Sequence, residues 1–262
     1  MMIEMRKRTP RGISVVIPTY NERRNIKILI PMIGSFLNNV CPYEIIVVDD
    51  DSPDGTWLEA KKFEKKYNVV VIRRVGKRGL VSAILEGIAR ANYERIVVMD
   101  ADLQHPPKLI VEMYKRLNHA DIVIASRYMQ GGKIEGWSLF RLLVSRVASL
   151  MAYILFPKVR RISDPMSGFF GLHKNILVGV KINAIGFKVL LEIIVKGKYR
   201  NIEEIPYTFK SRLYGKSKLS SKIIWQYIKH IAILATQTKR LTIITYIVLL
   251  LVLYVALILI AL

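Results

Sequence analysis

Two aspartates one residue apart, Asp100 and Asp102, follow the apolar run Ile96–Met99 in R-I-V-V-M-D-A-D-L-Q-H-P-P, residues 95–107. In open α/β sheets ligands sit beyond the carboxyl ends of the strands, so both carboxylates should reach that rim. An extended backbone points alternate side chains to the same side. Asp100, Asp102 and Gln104 could therefore converge on one hard divalent cation. Mg²⁺ or Mn²⁺ favours such a shell of carboxylate and water, completed by substrate phosphates. The competing use of the pair is to cap a helix starting near Pro106. His105 is a tempting base, but beside Pro106 and Pro107 it reads as a structural hydrogen-bonder.

The elements that must position this pair alternate along the chain. Ile13–Ile17 reads as a strand running into P-T-Y-N-E, after which Thr19 or Asn21 could cap a helix from Glu22 to the Asn38-Asn39 pair. Glu44–Val48 is a second strand, opening into Asp49, Asp50 and Asp51 and then a turn at Asp54-Gly55. A helix over 56–67, a strand over 69–73 and a helix over 79–91 follow. The small residues starting that last helix suit close approach of a ligand or backbone. A helix over 106–117 and a strand over 121–125 come next. Alternation of this kind predicts an α/β fold with a mostly parallel sheet. Later, S-D-P-M-S-G-F-F-G-L at 163–172 places Asp164, Ser167 and Gly168 at a rim. Residues 186–194 read as a helix with Glu192 exposed or facing the site. Residues 202–206 read as a last strand, and 210–218 as a cationic loop suited to phosphate oxygens.

Two helices carry a different pattern. Over 139–156, Arg141, Ser145 and Ser149 line one stripe with Arg146 beside it, and almost everything else is apolar. Two arginines near the middle of a membrane span are costly. The expected arrangement is a helix lying in the membrane interface, with its arginines facing headgroups or the domain; its rival is a core helix whose arginines reach solvent. Over 217–235, Lys218, Lys222, Gln226 and Lys229 share one side, while Ile223, Ile224, Tyr227, Ile228, Ile231 and Leu234 supply the other. This predicts a second interfacial helix.

Composition narrows the partners. In 262 residues, 41 Lys and Arg face 20 acidic residues, a formal charge of +21 that calls for an anionic partner. No acidic residue follows Glu204. Leu241–Leu262 carries no charge and is long enough for a bilayer-spanning helix, with Lys239 and Arg240 just before it. The positive-inside rule then keeps the body in the cytosol. Such a tail argues for a membrane partner over nucleic acid. Trp57, Trp137 and Trp225 are also scattered, not interleaved with the basic run. A single cysteine, Cys41, excludes an internal disulfide. The N-terminus has a basic run without an apolar stretch after it, unlike a signal peptide. The expected organisation is a cytosolic domain over 1–216 containing an interface helix at about 139–157, a second amphipathic helix over 217–237, and a membrane span over 241–262.

Six motifs occur in order: V-I-P-T-Y-N-E at 16–22, V-D-D-D-S-P-D-G-T at 48–56, D-A-D-L-Q-H-P-P at 100–107, S-R-Y at 126–128, D-P-M-S-G-F-F at 164–170, and R-x-x-x-G-x-S-K from Arg212 to Lys218. Together they resemble the dolichol-phosphate mannose synthases, family 2 glycosyltransferases with the nucleotide-sugar-binding GT-A fold. The resemblance covers roughly 13–218. It implies inverting transfer of mannose from GDP-mannose to a dolichyl or other polyprenyl phosphate at a membrane, a prokaryotic plasma membrane in preference to the endoplasmic reticulum. It also implies site residues. Pro18, Tyr20, Glu22 and Asp50 would line the guanine and ribose pocket. Asp102 and Gln104, supported by Asp100, would hold the metal on the diphosphate. Arg127, Arg141 and Ser145 would grip the lipid phosphate, and Arg212 and Lys218 the nucleotide's phosphates or leaving group. The loop at 164–169 would close the site. The related polyprenyl-phosphate glucose synthases, which use UDP-glucose, usually carry D-D-G-S where this chain has Asp49-Asp50-Asp51-Ser52, which favours mannose. A catalytically silent, membrane-anchored nucleotide-sugar binder is the alternative from another class.

Overall fold

β1 (Ile13–Thr19) is buried along its whole length, as a parallel strand covered on both faces must be. Its alternation divides the core. Val15 and Ile17 point into one apolar cluster and Val16 into the other. In this computed structural model the described residues are 11–183, 185–186, 188–210 and 221–238. Arg212, Lys218 and the span expected over 241–262 lie outside them. Among the described residues no helix is long and apolar enough to cross a membrane.

After β1 come α1 (Arg23–Leu37), β2 (Tyr43–Asp49), α2 (Thr56–Lys61), α3 (Glu64–Tyr67), β3 (Val69–Arg73), α4 (Leu80–Arg90), β4 (Arg95–Val98), α5 (Leu109–Arg116) and β5 (Ile122–Ser126). Then follow β6 (Lys133–Ile134), α6 (Leu139–Leu155), β7 (Phe170–His173), α7 (Val189–Lys196), β8 (Ile202–Pro206), β9 (Thr208–Phe209) and α8 (Ser221–Gln237). The main sheet runs β3-β2-β1-β4-β7-β5-β8. It is parallel throughout except for β7, which pairs antiparallel with both β4 and β5. β6 and β9 form a small parallel pair beside it. The chain builds outward from β1 to β3 and then crosses back to place β4 on the other side of β1. The crevice at that reversal is where such sheets bind ligands.

Close packing at the reversal depends on Gly87 in α4. A Cβ there would lie 2.4 Å from Val16 Cγ1, so glycine lets α4 settle onto β1. The close approach expected at the start of this helix therefore falls two turns later. Gly79, just before α4, serves differently: its φ of 143° turns its N–H to donate to Asp50 Oδ2 at 2.8 Å.

Several local expectations are corrected. Neither Thr19 nor Asn21 caps α1. The Thr19 hydroxyl donates to Asp49 Oδ2 at 2.8 Å, and Asn21 is left-handed at φ 60°. The helix expected over 56–67 breaks into α2 and α3, because Lys62 and Phe63 close tight i→i+3 bonds to Glu59 and Ala60. α7 starts at Val189, not at residue 186, and Glu192 is buried, neither exposed nor facing the site. It accepts from the N–H of Asn183 at 2.9 Å, faces His230 at 3.2 Å and pairs with Lys196.

The larger correction concerns α8. Of its apolar side, Tyr227, Ile231 and Leu234 pack into the protein core, whereas Ile223, Ile224 and Ile228 line a cavity beside α6. Tyr227 Oη donates to the Ala148 carbonyl of α6 at 2.6 Å, and His230 meets Glu192 of α7. The domain offers the middle and end of this helix an apolar floor, while Ile223 and Ile224 near its start stay half-buried. α6 is divided instead. Met151, Ala152 and Leu155 are buried, while Leu139, Leu143, Val147, Leu150 and Ile154 form an exposed stripe at helical spacing.

Candidate functional site

The carboxyl ends of β1 and β2 form one wall of the crevice. Asp49 is fully buried and locks the two strand ends, accepting from Thr19 Oγ1, from Ser52 Oγ at 2.6 Å and from the Ser52 N–H at 2.8 Å. That leaves Asp50 to face the crevice. Its carboxylate is held by the buried Arg74 at 2.6 Å and by the Gly79 N–H. Tyr20 stands nearby with the Arg78 guanidinium stacked 4.7 Å from its ring centre. Glu22 accepts from Asn25 Nδ2 at 2.6 Å. An aromatic ring, a cation and fixed carboxylates in one wall can hold a base and a ribose.

β4 ends at Val98, and the stretch after it is not extended. Leu103 is left-handed at φ 62°, so alternation along a strand is not what aims the aspartates. The turn does that work. Asp102 Oδ1 accepts from the Gln104 N–H at 3.2 Å, Gln104 Nε2 donates to the Lys210 carbonyl at 2.6 Å, and the Asp100 N–H donates to His105 Nδ1 at 3.2 Å. His105 stacks on Phe169 with ring centres 5.0 Å apart, a structural partner as its neighbours suggested. Neither carboxylate caps α5, which starts beyond them at Leu109.

Opposite Asp100 the chain has no side chain. A Cβ on Gly168 would stand 3.2 Å from Asp100 Oδ2, so this glycine keeps open the space beside the carboxylate. Among the described residues no group of three or more His, Cys, Asp or Glu gathers around one point. Two aspartates and an amide beside an open space fit a cation whose remaining ligands come from a diphosphate and water.

The other wall is cationic. Arg127 and Asp164 form a buried two-pronged pair, with Nε to Oδ2 at 2.7 Å and Nη2 to Oδ1 at 2.8 Å, and the Arg127 N–H also donates to Oδ2. Burial opposes both charges, yet each partner outweighs it: Asp164 is held below the usual carboxylate range and Arg127 above its ordinary value. Arg127 thus lines the cavity with its guanidinium already paired to Asp164. Arg141, in the first turn of α6, sits over Trp137 with its guanidinium 4.1 Å from the ring centre. Ser145, one turn on, accepts from Tyr128 Oη at 2.8 Å. Lys188, half-buried at the entry to α7, donates to the Met166 carbonyl at 3.1 Å. Burial and the neighbouring Arg127 push its ammonium down to about 8, against Asp164 and Asp100.

Both walls enclose one cavity of about 1190 Å³. Pro18, Tyr20, Glu22, Asp50, Asp100, Asp102, Gln104, Arg127, Arg141 and Ser145 all line it. Apolar residues line it as well, Leu143 and Val147 of α6 and Ile223, Ile224 and Ile228 of α8.

The family model for glycosyl transferase family 2 matches residues 14–180. Over 233 residues the chain is 38% identical to the dolichol-phosphate mannosyltransferase of Saccharomyces cerevisiae, covering 83% of this chain and 85% of that protein. The chain belongs to the dolichol-phosphate mannosyltransferases of glycosyltransferase family 2. It is 50% identical over 220 residues to the Pyrococcus furiosus enzyme of that name, covering 84% of this chain but only 62% of the relative's length. Among solved structures, glucosyl-3-phosphoglycerate synthase from Mycobacterium tuberculosis, in complex with Mn²⁺, UDP and glucosyl-3-phosphoglycerate, matches with a TM-score of 0.66 at 18% identity over 89% of this chain and 82% of that one. Mannosyl-3-phosphoglycerate synthase from Rubrobacter xylanophilus also matches at 0.66, with 19% identity over 88% and 76%. At such identity these two establish the GT-A fold and nothing finer.

Nothing in the sequence singles out Arg78, Trp137 and Lys188, which also line the cavity, or Arg74, which holds Asp50. Arg74 and Arg78 sit in a basic run whose members look alike until β3 ends. Lys188 is one lysine in a chain with many. The one signal available was its place just ahead of an uncharged run, V-L-L at 189–191, that must be buried.

Proposed function

We propose that this protein transfers mannose from GDP-mannose to the phosphate of dolichol or a related polyprenol, inverting the anomeric carbon, at a membrane surface. The observation that carries this reading is the mixed lining of one cavity: carboxylates and an amide, cations, and apolar residues of α6 and α8. A soluble sugar nucleotide suits the first part, a phosphate the second and an isoprenoid chain the third. The exposed stripe of α6, where Leu139 is 85% and Leu143 57% exposed, adds a surface suited to lipid beside the apolar mouth. With the apolar run at 241–262 as an anchor, the catalytic domain faces the cytosol.

The acceptor oxygen of a phosphate monoester is already anionic near neutral pH, so attack on the anomeric carbon needs no general base. The oxygen–carbon bond forms on one face as the bond to the diphosphate breaks on the other, which inverts the centre. The obstacle is charge. Two unit anions 4 Å apart repel by about 4 kcal/mol at an effective dielectric of 20. Arg141 and the Ser145 hydroxyl would hold the lipid phosphate, while the Arg127–Asp164 pair fixes the wall behind it. Asp100, Asp102 and Gln104 would hold a divalent cation, which supplies charge to offset the departing diphosphate. Tyr20, Glu22, Asp50 and Pro18 would seat the nucleoside.

The test is turnover of GDP-mannose with dolichyl phosphate by purified protein in Mn²⁺ or Mg²⁺, with UDP-glucose as competing donor. Mannosyl lipid should form, and Asp102→Ala should abolish it. Glucosyl lipid as the main product would overturn the donor, and full activity in Asp102→Ala the metal site.

A further inference from the structure

Polar contacts at Tyr227, His230 and Gln237 fasten α8 to the domain alongside its apolar side. Tyr227 Oη donates to the Ala148 carbonyl of α6 at 2.6 Å. One turn on, the buried His230 brings its Nε2 to 3.2 Å from Glu192 Oε2 of α7. At the end of the helix Gln237 Oε1 accepts from Lys196 Nζ at 2.6 Å, and that ammonium also pairs with Glu192. Burial opposes the charge of Glu192, yet His230, the Asn183 N–H and Lys196 together hold it below the usual carboxylate range. An ionised carboxylate only accepts, so the His230 nitrogen that faces it carries a proton. Nδ1 of the same ring is buried and has no hydrogen-bond partner among the described residues. A side chain wanted only for its volume would be apolar here. A half-satisfied imidazole is tolerated where its one donor has a use.

We propose that His230, acting through Glu192, is a positioning residue for the acceptor: it fixes α8 as the part of the cavity wall against which the isoprenoid chain lies. This rests on the transferase reading given above. Ile223, Ile224 and Ile228 of α8 line the cavity, and so do Tyr227 and Ala148, the two partners of the contact with α6. Val189, at the start of the helix that carries Glu192, lines it too. The polar ties therefore join helices that share the lining. Apolar packing is non-directional and leaves a helix free to roll or slide by small steps. Hydrogen bonds have fixed partners and geometry, so they select one placement. Ile224, Tyr227 and Ile228 stand within two turns of His230 on the same helix, so a roll at His230 carries them along. The carboxyl ends of β1 and β2, which the transferase reading gives to the nucleotide, take part in none of these contacts.

The experiment uses the full chain in detergent. Turnover of GDP-mannose is followed against farnesyl phosphate concentration, GDP binding with Mn²⁺ is measured by calorimetry, and thermal melts check folding. His230→Leu keeps the volume without the donor and should raise the acceptor KM at least fivefold, with kcat and GDP affinity within twofold of wild type. His230→Gln returns an N–H donor to Glu192 and should bring the acceptor KM back to within twofold. Tyr227→Phe cuts the tie to α6, keeps the ring and should raise the acceptor KM at least threefold. A lowered melting temperature with a wild-type acceptor KM in His230→Leu would reduce the residue to a packing element and overturn the inference. Equal losses of GDP and acceptor affinity would do the same, as would His230→Gln behaving like His230→Leu. Where His230→Leu does not fold, a wild-type acceptor KM in Tyr227→Phe overturns it instead. If the wild-type protein makes no mannosyl lipid, the transferase reading itself falls and takes this inference with it. Mannosyl lipid from wild type with an unchanged acceptor KM in both variants removes the inference alone.

Discussion

Replacing Asp164 by asparagine tests whether Arg127 is held in place by its partner or stands ready as an acceptor cation. The pair is deeply buried, with side-chain exposures of 7% for Arg127 and 0% for Asp164. Removing one partner of such a pair leaves an uncompensated buried charge and costs about 3–5 kcal/mol, far more than an exposed ion pair. For a domain of this size each kcal/mol moves the melting temperature by about 2–4 °C. Asp164→Asn should therefore melt roughly 6–20 °C below wild type. Replacing both partners by apolar residues of similar volume, Arg127→Met with Asp164→Leu, should recover much of that loss, because no orphaned charge remains. The contribution also has a definite pH dependence. Asp164 is held below its ordinary value, so the stabilisation is complete above the unfolded carboxylate's pKa of about 4 and is lost as pH falls through the depressed value. Thermal melts of the three proteins at pH 7 and at pH 3 read both effects. An Asp164→Asn melt within 2 °C of wild type at pH 7 would refute the reasoning.

Three further outcomes follow from the geometry. Gly168→Ala places a methyl group 3.2 Å from Asp100 Oδ2, and should weaken Mn²⁺-dependent GDP binding several-fold while leaving the melting temperature nearly unchanged. Gly87→Ala drives a Cβ to 2.4 Å from Val16 Cγ1, a side chain locked in the core, and should cost about 1–3 kcal/mol in a denaturant titration. Leu143→Glu with Leu150→Glu puts charge on the exposed stripe of α6; flotation with phospholipid vesicles should show weaker binding, while affinity for GDP stays at the wild-type level.

The motifs were legible because each is local. Carboxylates after a strand end, a proline-marked turn and an arginine one turn from a serine are written into consecutive residues. All ten of the described residues expected at the site do line one cavity. The reason expected for Asp100 and Asp102 was nonetheless wrong. They converge through a turn with Leu103 left-handed, which no residue pattern announces, since leucine seldom adopts that backbone. Likewise Arg127 lies 37 positions from Asp164, and only the pairing of β5 with β7 and β8 brings the two together.

The sequence by itself determined that an α/β sheet would present paired carboxylates at a strand end, and that the chain would be strongly basic. Strand periodicity and charge are properties of neighbouring residues, readable without a fold. Only the tertiary structure decided which amphipathic helix keeps a long apolar stripe exposed. α6 and α8 carry similar patterns, yet α8 spends its apolar side on the core beside α6 and α7, whereas α6 keeps a stripe outside. An apolar face states that something must cover it. Whether the cover is protein or membrane depends on what the rest of the chain leaves within reach.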